Sequence, residues 1–233
     1  YKRQHTGCAE DPQPSRIALP MKPYQLQAIR WMRQMEGLNL NSLFWEKRAF
    51  ADGGYYWFAP DIGEGRLVEE PPAASGGLLC DEMGMGKTVE LLGLVCAAPA
   101  TVEQLKAPGL AKKHEDAGPL VASRATLIVV PPALVSQWVN EVKKSILATN
   151  PLSVKVFVTD KEREELVPLR KGSLKKSETF FASRKQSLSR LADHDIVIVT
   201  YNTMLAGGAR QGLYGTPGDV NPIEQIRWTR VAV

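Results

Sequence analysis

The chain has 233 residues, 44% hydrophobic and 23% charged, which is the balance of a globular protein of one or two domains and excludes collagen-like, coiled-coil and wholly disordered chains. Its longest apolar runs, around Leu91 to Ala98 and Leu127 to Val135, are short and broken, well under the roughly 18 residues of a spanning helix, so no integral membrane protein is expected. A net charge of +4 permits nucleic-acid contact without requiring it.

Residues 1–19 are polar and interrupted by proline, which predicts a tail or linker, with order beginning near Pro20. From Pro23, the apolar positions Tyr24, Ala28, Trp31, Met32 and Met35 recur at spacings of three and four, which predicts an amphipathic helix ending near Gly37. Residues 43–72 are rich in aromatics and glycine and close on Pro71-Pro72, so they read as a small β-rich insert. Gly77 to Cys80 is expected as a short buried strand, then a glycine-rich turn and a helix from Lys87 to Ala97. An irregular stretch at 98–123 precedes a strand at Thr126 to Val130, a helix at Leu134 to Leu147 and a strand at Val154 to Val158. A charged segment at 160–190, a strand at Asp195 to Thr200, a glycine-rich loop at 207–218 and a buried central strand entering at Trp228 to Val233 complete the chain. Short Val/Ile/Leu strands alternating with helices predict an α/β fold, a doubly wound parallel sheet covered on both faces.

Cys8, Cys80 and Cys96 are odd in number and widely spaced, which fits neither a disulfide framework nor a CxxC metal knuckle and points to a reducing, intracellular compartment. His5, His114 and His194 stand apart without ligand spacing. Tyr1 and Val233 both read as cut ends.

The strongest chemical signal is Asp81-Glu82-Met83-Gly84-Met85-Gly86-Lys87-Thr88, between an expected strand and an expected helix. A phosphate cradle needs backbone N–H groups turned inward, which Gly84 and Gly86 allow, and a helix N-terminus with its partial positive charge. Lys87 would bridge the β- and γ-phosphates of ATP, and the Thr88 hydroxyl would ligate Mg²⁺. The strict phosphate-loop pattern has glycine where this chain has Asp81; the bland alternative is an ordinary strand-to-helix turn.

That aspartate carries a resemblance. DEMGMGKT is similar to motif I of the SWI/SNF-type helicase-like ATPases of superfamily two, in which Asp replaces the first glycine. Lys22-Pro23-Tyr24-Gln25-Leu26 with Trp31 resembles their Q motif, and Val130 to Trp138, read VPPALVSQW, resembles motif Ia. Asp195 to Tyr201, read DIVIVTY, resembles motif Ib, and Ile226 to Val233 resembles the strand leading into the acidic box of motif II. The insert, with its Trp-Glu-Lys-Arg, Tyr-Tyr pair and Pro-Pro, is similar to the RING-bearing branch that includes helicase-like transcription factor and the histone-linker, PHD and RING helicase. A rival reading of the insert is a WW module, which lacks its second Trp here.

The resemblance implies a RecA-like lobe over residues 20–233, cut before motif II, with the gene continuing Asp-Glu after Val233. It implies ATP and Mg²⁺ as cofactors, double-stranded DNA and nucleosomes as partners, a second, C-terminal RecA-like lobe, and a nuclear remodelling or DNA-repair role. Asp81 through Thr88 would hold the nucleotide, Gln25 would read the adenine edge, and Lys22 or Tyr24 would flank the base. Pro131, Pro132 and Ser136, with Thr200 and Tyr201, lie just past strand ends, where open α/β sheets place ligands, and would meet nucleic-acid phosphates. Between Lys161 and Arg190 nine basic residues face four acidic ones, a local +5 suited either to a DNA backbone or to a solvated face. Hydrolysis would need carboxylates beyond Val233 and an arginine finger from the second lobe, so the 233 residues alone are expected to be inactive. Alternatives are a non-catalytic nucleotide-binding or scaffold module, a P-loop kinase and an RNA helicase lobe.

Overall fold

The computed structural model describes residues 9–67, 71, 75–101, 105, 120–158, 162, 191–205 and 223–233. The chain divides into two compact units, residues 1–13 with 21–94, and residues 14–20 with 95–233.

In the first unit, α1 runs Pro23–Gly37 as the periodicity predicts, with Gln25, Ala28 and Ile29 buried. Pro23 fits its first turn because the missing N–H has no helical partner there. The Gln25 side-chain oxygen accepts the Lys22 N–H at 3.0 Å, so one donor at the helix entrance is satisfied from within. Order begins earlier than Pro20, because Asp11 is 5% exposed and pairs with Arg33 at 2.6 Å, and Gln13 accepts the Met21 N–H. A buried carboxylate with an arginine partner fixes this polar segment where apolar patterning gives no hint of packing.

The short helix α2 (Asn41–Phe44) leads into the insert, an antiparallel meander of β1 (Glu46–Ala49), β2 (Tyr55–Ala59) and β3 (Glu64–Leu67). Gly53 at φ +91° and Gly63 at φ +67° make its turns, in backbone conformations that favour glycine. Lys47 lies 3.7 Å above the Tyr55 ring and Arg48 lies 3.9 Å above Phe58, so cations cover the aromatic strand. Asn41 closes the base of the insert by donating to the Pro71 carbonyl at 2.8 Å.

Gly77 to Cys80 is not a buried strand. The segment makes no ladder with any described strand and leaves Leu78 76% exposed. An apolar run becomes a strand only where a neighbour takes its backbone hydrogen bonds. After it comes α3 (Lys87–Ala97).

The second unit is built on a parallel sheet of β5 (Thr126–Val130), β6 (Val154–Phe157), β7 (Ile196–Thr200) and β9 (Arg230–Ala232), ordered β6-β7-β5-β9. Every residue of β5 and β7 is buried, the continuous Val/Ile pattern of a sheet covered on both faces. A second, two-stranded parallel ladder joins β4 (Val121–Ala122) to β8 (Ile226–Arg227). After β5, a 3₁₀ turn at Pro132–Leu134 leads into α4 (Val135–Ser145), whose Val135, Val139 and Val142 are buried on one stripe. The helix α5 (Tyr201–Leu205) follows β7 directly. The last strand differs from expectation: β9 is an edge strand with Val231 54% exposed, because among the described residues only β5 pairs with it. The architecture is the α/β, RecA-like one, with connections that step across neighbouring strands.

Candidate functional site

The first candidate site is the loop 81–86 in the first unit, and its shape follows from its two glycines. Gly84 and Gly86 have φ of +84° and +94°, a region that L side chains rarely adopt, so the chain can turn sharply into α3 only with glycine at these places. A Cβ on Gly86 would lie 2.5 Å from Gln25 Nε2, which makes Gly86 a position of close approach as well.

Lys87, the first residue of α3, folds its ammonium back onto the loop, donating to the carbonyls of Asp81 at 2.7 Å and Glu82 at 3.0 Å. It is therefore mobile in chemistry rather than in place: a phosphate drawn to the helix N-terminus competes with two neutral carbonyls for one charge. Thr88 follows on the first turn and is half-buried, a hydroxyl suited to Mg²⁺. Asp81 and Glu82 lend their carbonyls to Lys87, and Met83 is 91% exposed at the loop tip. The open glycine turn, the lysine and the hydroxyl fit a magnesium-bound polyphosphate in type and order.

The loop is held from α1. The Tyr24 hydroxyl and Gln25 Nε2 both donate to the Met85 carbonyl, at 2.9 and 3.1 Å. Gln25 is 9% exposed, and its amide engages Met85 at one end and the Lys22 N–H at the other. The sequence pointed Gln25 at an adenine edge; the structure puts its amide to work on the loop itself. Lys22 is exposed at the helix entrance.

Sequence reasoning missed Glu90. It is 0% exposed on α3, and neither carboxyl oxygen has a hydrogen-bond partner among the described residues. Burial, reinforced by Asp81 and opposed by Lys87, raises its pKa from 4.5 to about 7.

The second candidate site lies in the other unit, at the carboxyl end of the parallel sheet. Val130 and Thr200 are register partners, which brings Pro131 and Tyr201 side by side at the tips of β5 and β7. Pro131 and Tyr201 are exposed, while Pro132 and Ser136 are half-buried around the start of α4. Thr200 does not present its hydroxyl to an outside phosphate. It is 0% exposed and accepts the Thr203 N–H at 3.1 Å while donating to the Glu162 carboxylate at 2.9 Å. A carboxylate buried beside it is the stronger acceptor, so the hydroxyl turns inward. The rest of the basic stretch between Lys161 and Arg190, like the loop at 207–218, Cys8, His5 and His114, lies outside the described residues. The remaining histidine, His194, packs its Nδ1 2.5 Å from Ser153 Oγ, and burial lowers its pKa.

The SNF2-related domain profile matches residues 24–233, nearly the whole chain and both candidate sites. The chain belongs to the SNF2-related family. Among proteins similar to this SNF2-related chain is the DNA repair protein rad8 of Schizosaccharomyces pombe, 29% identical over 189 residues, covering 69% of the chain and 16% of rad8. The DNA repair protein RAD5B of Arabidopsis thaliana is 27% identical over 213 residues, covering 82% of the chain and 15% of RAD5B. A putative SWI/SNF-related matrix-associated actin-dependent regulator of chromatin, subfamily A member 3-like 1, also from Arabidopsis thaliana, is 23% identical over 253 residues, covering 96% of the chain and 24% of that protein. The chain thus spans less than a quarter of the length of each of these relatives.

Proposed function

We propose that this SNF2-related chain is the ATP-binding, N-terminal RecA-like lobe of a DNA-dependent ATPase and translocase, of the Rad5-like, RING-bearing branch, acting in DNA repair or chromatin remodelling in the nucleus. The observation that carries the reading is the loop 81–86, turned open at Gly84 and Gly86 in backbone conformations that glycine adopts freely, ended by Lys87 at a helix N-terminus and braced from α1 by Tyr24 and Gln25.

Bound ATP would supply the phosphoryl group, with its Mg²⁺ neutralising the charge that develops on the phosphates. Lys87 leaves the Asp81 and Glu82 carbonyls to meet the β- and γ-phosphates, and Thr88 offers its hydroxyl to the metal. The N–H groups of Gly84 to Lys87 orient the polyphosphate. Gln25 retains one amide hydrogen and one lone pair for the base, and Lys22 and Tyr24 flank it. Pro131, Pro132, Ser136, Thr200 and Tyr201 form the edge facing double-stranded DNA, with Thr200 acting from inside. Hydrolysis on this reading also calls for water-orienting carboxylates and for an arginine finger from a C-terminal RecA-like lobe.

The test is ATP turnover with and without duplex DNA, for residues 1–233 and for a version carrying the second lobe. ATP binding by both and DNA-stimulated turnover by the longer one alone is the expected result. Absence of ATP binding in both would overturn the reading, and binding without turnover in both would favour a scaffold.

A further inference from the structure

Among the described residues, Glu162 is a heavily engaged carboxylate at the carboxyl end of the sheet, and nothing in its sequence setting marks it. It stands between Lys161 and Arg163, in the stretch where basic residues outnumber acidic ones. In the structure it is 5% exposed. Its Oε1 accepts from Thr200 Oγ1 at 2.9 Å and from Asn202 Nδ2 at 3.0 Å, and its Oε2 accepts from Thr200 Oγ1 at 3.0 Å and from Thr203 Oγ1 at 3.3 Å.

Three of the first four residues after Val199 are thus tied to one side chain from a distant part of the sequence. Thr200 Oγ1 and Thr203 Oγ1 are also 2.9 Å apart, and both threonines are 0% exposed. The member of the set that this network leaves out is Tyr201, 41% exposed at the register position beside Pro131. Holding Thr200 and Asn202 on either side restrains where the backbone of Tyr201 can carry the phenol. A buried hydrogen-bonded carboxylate that fixes a turn is a means of preorganising an exposed side chain.

We propose that Glu162 is a positioning residue for the nucleic-acid edge: it pins Thr200, Asn202 and Thr203 so that Tyr201 presents its hydroxyl to a backbone phosphate of duplex DNA. The inference rests on the DNA-binding reading given above. Glu162 touches no DNA itself and acts through Tyr201. A tyrosine donating to a phosphate oxygen adds affinity without reading sequence. Being neutral, it displaces no counterion, so its loss weakens binding at every salt concentration by the same factor.

The experiment is duplex-DNA affinity by fluorescence anisotropy over a salt series, for the parent chain, Glu162→Ala, Tyr201→Ala, the double variant and Glu162→Gln, with ATP affinity measured beside it. Glu162→Ala and Tyr201→Ala should each weaken DNA binding about tenfold, equivalent to one lost hydrogen bond. The double variant should weaken it no further, since the two act through one contact. Slope against salt and ATP affinity should not change, and Glu162→Gln, which keeps one acceptor oxygen in place, should recover most of the loss. Additive losses, a reduced salt slope or an unaffected Glu162→Ala would overturn the role of Glu162 while leaving the DNA reading intact. A parent that does not bind duplex DNA would overturn both. If Glu162→Ala does not fold, as judged by thermal melting, Asn202→Ala takes its place in the cycle with the same expectations, and the same outcomes overturn the inference.

Discussion

At the scale of single residues, Lys87 and Glu90 sit one helical turn apart and answer to opposite forces. Lys87 is charged and served by two carbonyls that it can leave, so Lys87→Ala should spare the fold while cutting ATP affinity by a factor of about ten to a hundred or more, as one charge-assisted contact of about 1.5–3 kcal/mol implies. Titration calorimetry with ATP, beside a thermal melt, checks both halves. Glu90 is buried with no partner for either oxygen among the described residues, and its folded pKa of about 7 stands above the 4.5 of an ordinary glutamate. Between these two values the folded chain holds a proton that the unfolded chain has released. The contribution of Glu90 to stability without nucleotide is therefore full below about pH 4.5 and is lost as the pH rises through about 7. Glu90→Gln should flatten that fall and leave the chain more stable at pH 8 by up to about 3 kcal/mol, measured by urea unfolding at several pH values.

Between elements, the contact that bears on the proposed nucleotide site is the one from α1 to the loop before α3. Tyr24 and Gln25 both hold the Met85 carbonyl, next to Gly86 with its positive φ. If the main work of Gln25 is to brace the loop, Gln25→Ala should weaken ATP and GTP alike, because the phosphates are common to both. If its main work is to read adenine, ATP alone should suffer. The bracing role predicts losses within about threefold of each other, since the removed bonds are worth about 1 kcal/mol each whichever base is bound. Gly86→Ala should abolish binding of both, for its Cβ would strain the backbone and press on Gln25 Nε2, only 2.5 Å away. Competition binding with the two nucleotides separates these outcomes.

For the molecule as a whole, the DNA contact proposed above would draw its charge from the basic sequence between Lys161 and Arg190 and its hydrogen bonding from the tips of β5 and β7. The two should leave different marks on salt dependence. Neutralising Lys175 and Lys176 is expected to weaken duplex binding for all sequences and to flatten the slope of log affinity against log salt by up to about two. Tyr201 and Glu162 variants should shift the line without tilting it. Parallel salt series on one duplex, by anisotropy, compare the two classes directly; an unchanged slope in the lysine variant would mean a solvated face.

The sequence by itself determined α1, α3, the insert's strands and the sheet strands β5, β6 and β7, because each is declared by a local period or by a β-branched run that needs no distant partner to be read. It also announced the glycine turn into α3, since Gly84 and Gly86 ahead of Lys87 allow the chain to reverse there. What tertiary structure alone decided were the pairings. Gly77 to Cys80 has strand-like residues and no partner among the described strands, and Arg230 to Ala232 has a central strand's composition at an edge. Thr200 has a hydroxyl that any motif would send outward, and Glu162, 38 residues earlier, turns it in. Asp11, Gln25 and Glu90 are polar residues whose burial no periodicity announces. A polar side chain takes its role from whichever donor, acceptor or charge the fold brings within about 3 Å, and that neighbour is set by the path of the chain rather than by the residues beside it in sequence.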